Sequence, residues 1–186
     1  MEPEQQRTPP VGGEEWFDVV DENDQPVGRE RRSEVHRRGL RHRAVHVEVF
    51  DEAGRIFLQR RSMSKDTAPG CWDSSASGHV DAGETYDACA VRELGEELGW
   101  RPREAPQRLF KLEACAETGQ EFVWVYRADW DGKAFTLHPD EIADGAWFTP
   151  SKVDALIARE PEAVARSFAY LWAALKARGA LPDLRR

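Results

Sequence analysis

The spacing of apolar and polar residues changes several times along this chain, and each change marks an element. Trp16 to Asp21 (WFDVVD) reads as a strand, and Glu22-Asn23-Asp24 carries the turn chemistry that folds it onto Pro26 to Arg31 as an N-terminal hairpin. Ser33 is placed to cap a short helix through His36 that ends at Gly39. Arg43 to Phe50 (RAVHVEVF) alternates as a half-buried strand does, Asp51 to Gly54 supplies a turn, and Arg55 to Arg60 continues a meander. Met63 to Gly78, rich in Ser, Pro and Gly, reads mostly as loop.

From Thr85 the period becomes helical, with Ala88, Val91, Leu94 and Leu98 on one stripe and Gly99 at the terminus. Leu109 to Ala116 and Glu121 to Ala128 then read as an antiparallel pair joined through Thr118-Gly119, with Ala146 to Phe148 as a last strand. Ser151 to Arg159 follows Pro150 as a helix. Pro161, at a first helical position, is expected to open a longer amphipathic helix with Phe168, Leu171, Trp172 and Leu175. Mixed strands and helices predict an α/β layered fold.

Composition narrows this further. At 186 residues with 40% hydrophobic content the chain can bury one substantial core, so residues 15–180 are expected to form one domain behind a disordered tail at 1–14. A net charge of −8 argues against partners such as duplex nucleic acid or an anionic membrane, but it allows a small anion held by cations. Three cysteines without CxxC spacing, and no signal-like or membrane-spanning apolar run, predict a cytoplasmic protein, monomer or homodimer.

The chemistry concentrates between Gly78 and Trp100. Glu93, Glu96 and Glu97 stand at i, i+3 and i+4, so their carboxylates share a helix face. Such a face is often only solvated surface, with Arg92 and Glu96 in a supporting i, i+4 pair. Glycines at 78, 83 and 99 point elsewhere, to a loop-helix-loop unit that gathers oxygens for a divalent cation.

Gly78, Glu84, Arg92, Glu93, Leu94, Glu96, Glu97, Gly99 and Trp100 fill the pattern G-x5-E-x7-R-E-U-x-E-E-x-G-U, in which U is bulky and apolar. The segment thereby resembles the Nudix box, whose seven fixed letters would recur by chance about once in 10⁹ positions. Trp100 departs from the usual aliphatic residue. The resemblance implies a Nudix fold, a mixed sheet sandwiched between helices, and a magnesium- or manganese-dependent hydrolase that cuts a phosphoanhydride bond. It implies metal-binding roles for Glu93, Glu96 and Glu97, with carbonyls near Ser77 and Gly78 as further candidates. Arg92 would orient the carboxylates and Glu84 support the site. Glu93 and Glu141 are the candidate proton acceptors.

Arg41 to Glu84 more specifically resembles the isopentenyl-diphosphate isomerase branch, through HRAVHVEVF, RRSMSK, PGCWD and SGHVDAGE. Arg61 and Lys65 match residues that clamp a diphosphate there, His42 and His79 match metal-binding histidines, and Glu121 matches a glutamate used in metal binding and proton transfer. Other parts differ: Ser77 stands for the catalytic cysteine, Gly119 for a second glutamate, and His36 is one residue out of register with the remaining histidine. A serine hydroxyl is a poor substitute for a thiol in proton transfer near neutral pH. The expectation is therefore hydrolysis on an isomerase-like framework, acting on a nucleoside diphosphate derivative or a related small diphosphate. His42 and His79 are read as structural or phosphate-contacting, and Trp72 or Phe122 are candidates to stack on a base. An isomerase and a non-catalytic binding module are the rival readings.

Overall fold

The computed structural model describes residues 14–182. Of the expected tail at residues 1–14, residues 1–13 lie outside the described residues, whereas Glu14 is held in place, its carboxylate accepting the Ser33 amide at 2.8 Å. Strands β1 (Trp16–Val20) and β2 (Pro26–Arg31) form the N-terminal hairpin, followed by helix α1 (Arg32–Arg38). Ser33 is not the cap of α1: Arg31 holds that position without a side-chain hydrogen bond, and Glu14 satisfies one of the first-turn amides instead. Gly39 ends the helix in the left-handed region at φ 60°.

The main sheet is built from β3 (His42–Phe50), β4 (Ile56–Arg61), β5 (Trp72–Asp73), β6 (Ala76–His79), β7 (Gln107–Leu112), β8 (Glu121–Asp129) and β9 (Ile142–Phe148). Its spine runs β5-β4-β3-β8-β7, with β6 pairing β3 and β9 pairing β4. β3 and β8 are parallel over their full length, and the other pairs are antiparallel. The sheet is thus mixed.

The meander expected of β3 and β4 is corrected by their pairing, which is confined to Phe50 and Ile56. Beyond that point the strands splay, and the segment read as loop enters the gap, β5 bonding to β4 and β6 to β3. Ser75 bridges the opening, its hydroxyl donating to the Phe57 carbonyl and accepting the Val49 amide at 2.8 Å.

Alternation along β3 divides the interior. Val45, Val47 and Val49 face helix α2 (Tyr86–Leu98), where Cys89, Ala90, Leu94 and Leu98 are fully buried. Each such leucine contributes roughly 1.5–3 kcal/mol. Ala44 and Phe50 face the opposite layer, α3 (Pro150–Arg159) and α4 (Arg166–Ala177), through Val153, Phe168, Leu171, Trp172 and Leu175. Pro161 does not open α4. It begins a single 3₁₀ turn to Ala163, after which Val164 is extended beside Trp72 and the Ala165 amide donates to the Trp72 carbonyl at 2.9 Å. No helix among the described residues is long and apolar enough to cross a membrane.

Candidate active site

Thr85 caps α2, its hydroxyl accepting the Ala88 amide at 3.2 Å, and the helix leads its glutamates toward the loop that ends β6. Gly78 is required there. A Cβ at position 78 would fall 1.9 Å from Glu93 Oε1, so only a glycine lets the strand backbone lie against that carboxylate.

Arg92 organises the cluster from one guanidinium. It donates to both oxygens of Glu84 at 2.9 Å, to Glu93 at 2.6 Å, to Glu96 at 3.0 Å and to the His79 carbonyl at 3.0 Å. Glu84 in turn accepts the Asp81 amide at 3.1 Å, which fixes the loop before the helix. Glu97 accepts from Gln59 at 2.8 Å and from the Ser77 amide at 3.0 Å. Glu93 and Glu97 are both buried, Glu96 is exposed, and Trp100 seats the helix end with its indole N–H donating to Asp131 at 2.9 Å.

Burial raises the pKa of Glu93 well above the carboxylate range, with the neighbouring Glu97 adding to the effect and Arg92 opposing it. Burial raises Glu97 too, against hydrogen bonds from Ser77 and Gln59. Two buried carboxylates that resist ionisation side by side form a strong site for a hard cation, which would supply the missing positive charge. Glu93 and Glu97, with Glu96 at the rim and the carbonyls near Ser77 and Gly78 as further donors, fit a divalent metal.

The sequence-predicted clamp lies alongside. Lys65 is ion-paired with Glu141, and both act electrostatically on Glu97. Arg61 donates to Asp73 at 3.0 Å and to the Thr67 carbonyl at 2.9 Å. Trp72 is not brought to the carboxylates. Its cross-strand partner Arg60 lies one residue from Gln59, so Trp72 faces the C-terminal layer, packing on Phe148 with centroids 5.0 Å apart. Phe122 is buried under Lys111, 4.6 Å from the ring centroid, so neither aromatic offers a free face to a base.

On the same sheet face as Ala44, the structure gathers a second cluster. Ligand atoms of His36, His42 and His79 all lie within 4.8 Å of one another, and Glu121 approaches His79 at 3.0 Å and His42 at 3.4 Å. The apparent register slip of His36 is thus corrected: the turn at Gly39 returns α1 over β3 and brings its imidazole 5.2 Å from that of His42, centroid to centroid. Phe17 stacks on His42 and His79 and seals the cluster from one side.

His42 Nδ1 donates to the Leu40 carbonyl at 2.9 Å, and its buried Nε2 lies 3.4 Å from Glu121 without forming a well-aligned hydrogen bond. An orphaned, pre-oriented imidazole nitrogen beside two more histidines and a carboxylate fits a transition-metal ion. Burial and the two neighbouring imidazoles hold His36 down at about 4, keeping it neutral at physiological pH. Burial works to raise Glu121, but the neighbouring His42 and His79 imidazoles hold it well below the carboxylate range.

Gln59 and Asp73, which bond to Glu97 and Arg61, join the site without having been singled out in the sequence. The available signal was Gln59 itself, a polar residue that continues the buried run Ile56–Leu58 of β4.

Comparison with known proteins agrees with this geometry. The NUDIX domain model matches residues 40–171. An uncharacterized Nudix hydrolase of Yersinia pestis is 38% identical over 144 residues, 76% of each chain. An isopentenyl-diphosphate Delta-isomerase 2 of Photorhabdus laumondii is 33% identical over 149 residues, covering 77% of this chain and 82% of its own. The crystal structure of a Deinococcus radiodurans protein superposes with a TM-score of 0.77 at 31% identity, over 86% of this chain and 98% of that one.

Proposed function

The chain belongs to the Nudix hydrolase family, in its isopentenyl-diphosphate isomerase-like branch, and from that premise we propose that it is a magnesium- or manganese-dependent pyrophosphohydrolase. Its substrate is a small diphosphate, such as a nucleoside diphosphate derivative, cut at the phosphoanhydride bond. One observation carries this: Glu93 and Glu97 are buried together under Gly78, with a single guanidinium, Arg92, ordering Glu84, Glu93 and Glu96 around them.

A divalent cation at those carboxylates would neutralise the diphosphate and lower the pKa of bound water. Glu93, Glu96 and Glu97 hold it, and Arg92 and Glu84 keep the carboxylates from splaying. Arg61 and Lys65 bind phosphate oxygens, for which a planar guanidinium and a mobile ammonium are well suited. Glu141 accepts the proton from the attacking water. Its side chain is 37% exposed beside Lys65, whereas Glu93 is committed to Arg92 and deeply buried.

The histidine cluster favours a second reading, isomerisation of an isoprenoid diphosphate, because three histidines and Glu121 come together there, although Gly119 leaves out the second glutamate. Ser77 weighs against it, since a hydroxyl lacks the thiol's acidity. The experiment is cleavage and isomerisation assays on nucleoside diphosphates and triphosphates, nucleotide sugars, dinucleoside polyphosphates and isopentenyl diphosphate, with and without Mg²⁺ or Mn²⁺. Metal-dependent hydrolysis that falls about a hundredfold or more in Glu97→Gln is expected. Double-bond migration without phosphate release would replace the hydrolase with an isomerase.

A further inference from the structure

Behind the diphosphate clamp lies a buried polar chain that the hydrolytic box does not use. His46 and Glu48 follow His42 and Ala44 along one face of β3, and both side chains are buried, Glu48 completely. His46 Nδ1 shares a hydrogen bond of 2.7 Å with the Ser74 hydroxyl. Neither carboxylate oxygen of Glu48 has a well-formed hydrogen bond, and its nearest polar neighbours are the Ser74 hydroxyl and the Ser75 amide. Ser74 therefore stands between an imidazole and a carboxyl, in the gap where β3 and β4 splay. Asp73, Glu121, Arg61 and His79 lie close enough for their charges to act on His46. Its Nε2 has no hydrogen-bond partner among the described residues.

We propose that His46 is a substrate-binding residue of the hydrolytic site, a neutral imidazole whose Nε2–H donates to a phosphate oxygen beside Arg61. Ser74 and Glu48 set its tautomer from behind. The direction of the chain follows from burial. Burial, with the Asp73 carboxylate adding to it, outweighs the hydrogen bonds from Ser74 and Ser75 and keeps Glu48 protonated at neutral pH, its pKa pushed up to about 8. A protonated carboxyl donates to the Ser74 oxygen, Ser74 donates to Nδ1, and the ring proton is left on Nε2. An ionised Glu48 would reverse every donor and turn a bare lone pair toward the phosphate.

This rests on the diphosphate-hydrolase reading, and the test separates the two. Binding of methylenediphosphonate with Mg²⁺ is measured by calorimetry for the wild type, Glu97→Gln, His46→Asn and His46→Gln. Asparagine keeps a partner for Ser74 but lacks the reach of Nε2, whereas glutamine places an amide N–H near the Nε2 position and loses the bond to Ser74. Binding is expected to weaken about ten- to a hundredfold in His46→Asn, the value of a hydrogen bond to a charged oxygen, and to recover in part in His46→Gln. A purely structural histidine predicts the opposite order.

¹⁵N NMR of the wild type is expected to show the His46 proton on Nε2, and Ser74→Ala to release it to a tautomer mixture. Those spectra decide the matter if neither His46 variant folds. Wild-type affinity in His46→Asn, or a wild-type proton on Nδ1, overturns this proposal alone. Failure of the wild type to bind the diphosphonate with either Mg²⁺ or Mn²⁺ overturns the hydrolase reading and this proposal together.

Discussion

Two buried carboxylates in this protein are tuned in opposite directions, and the difference lies in what surrounds each. Asp24 sits at φ 59° in the β1–β2 turn and accepts from Arg43 Nε at 2.6 Å, Lys111 Nζ at 2.5 Å and Tyr86 at 2.9 Å. Burial works to raise its pKa, but these donors outweigh it and hold Asp24 below its usual value. Its stabilisation is therefore complete above about pH 4 and is lost as pH falls through the lowered folded-state value. Asparagine tolerates the left-handed turn and removes only the charge, so Asp24→Asn should cost roughly 3 kcal/mol at pH 7 in urea unfolding, with the deficit shrinking in acid. Equal losses at pH 7 and pH 3 would show that the charge is not what latches the hairpin. Burial and the Asp73 carboxylate raise the pKa of Glu48, so the unfolded chain ionises where the folded one does not. The resulting penalty grows from about pH 4.5 to about pH 8 and levels off above, on the order of 5 kcal/mol when complete. Glu48→Gln should accordingly unfold at higher urea than the wild type at pH 8 and with little difference at pH 4. A pH-independent difference would place the carboxyl elsewhere than in an apolar pocket.

Among the elements, α2 was the most legible, because its apolar residues recur at helical spacing while its glutamates repeat on the other side. The structure puts Leu94 and Leu98 in the core and Glu93 and Glu97 against β6. The necessity of Gly78 follows from that packing. Gly78→Ala forces Glu93 to move, so we expect a loss of about 1–3 kcal/mol by overpacking, and a metal titration of the purified variant should show weakened Mg²⁺ or Mn²⁺ affinity. Unchanged affinity would mean that Glu93 does not hold the metal. Strands β5 and β6 were not legible, since two and four residues of Trp-Asp and Ala-Ser-Gly-His carry no strand periodicity. They are strands because β3 and β4 splay and leave backbone groups to satisfy, a tertiary cause. The reading at Pro161 failed in the same way. Its position suits a helix start, but pairing of Val164 and Ala165 with Trp72 holds the chain extended until Arg166. His36 looked displaced because residue counting assumes a fixed path between α1 and β3, and the left-handed turn at Gly39 alters that path.

At the scale of the whole molecule, the histidine cluster adds a further link between the N-terminal unit and the main sheet, beside the Asp24 latch. His36 comes from α1, beside the N-terminal hairpin, whereas His42, His79 and Glu121 come from three neighbouring strands of the main sheet. A metal ion held by all four would tie the N-terminal unit to the sheet, and because the unfolded chain does not hold these ligands together, its binding energy would appear as folding stability. Imidazole nitrogens favour Zn²⁺ over Mg²⁺, so Zn²⁺ added to protein already saturated with Mg²⁺ reports on this cluster separately from the carboxylates of α2. At a hundred times its dissociation constant the ion adds about 2.7 kcal/mol, which for a chain of this size raises Tm by roughly 5–10 °C. The same addition to His36→Ala should raise Tm far less, since the ligand that reaches across from α1 is gone while the three on the sheet remain. If Zn²⁺ stabilised both proteins equally, α1 would not contribute to the metal site, and the buried Nε2 of His42 would need another explanation.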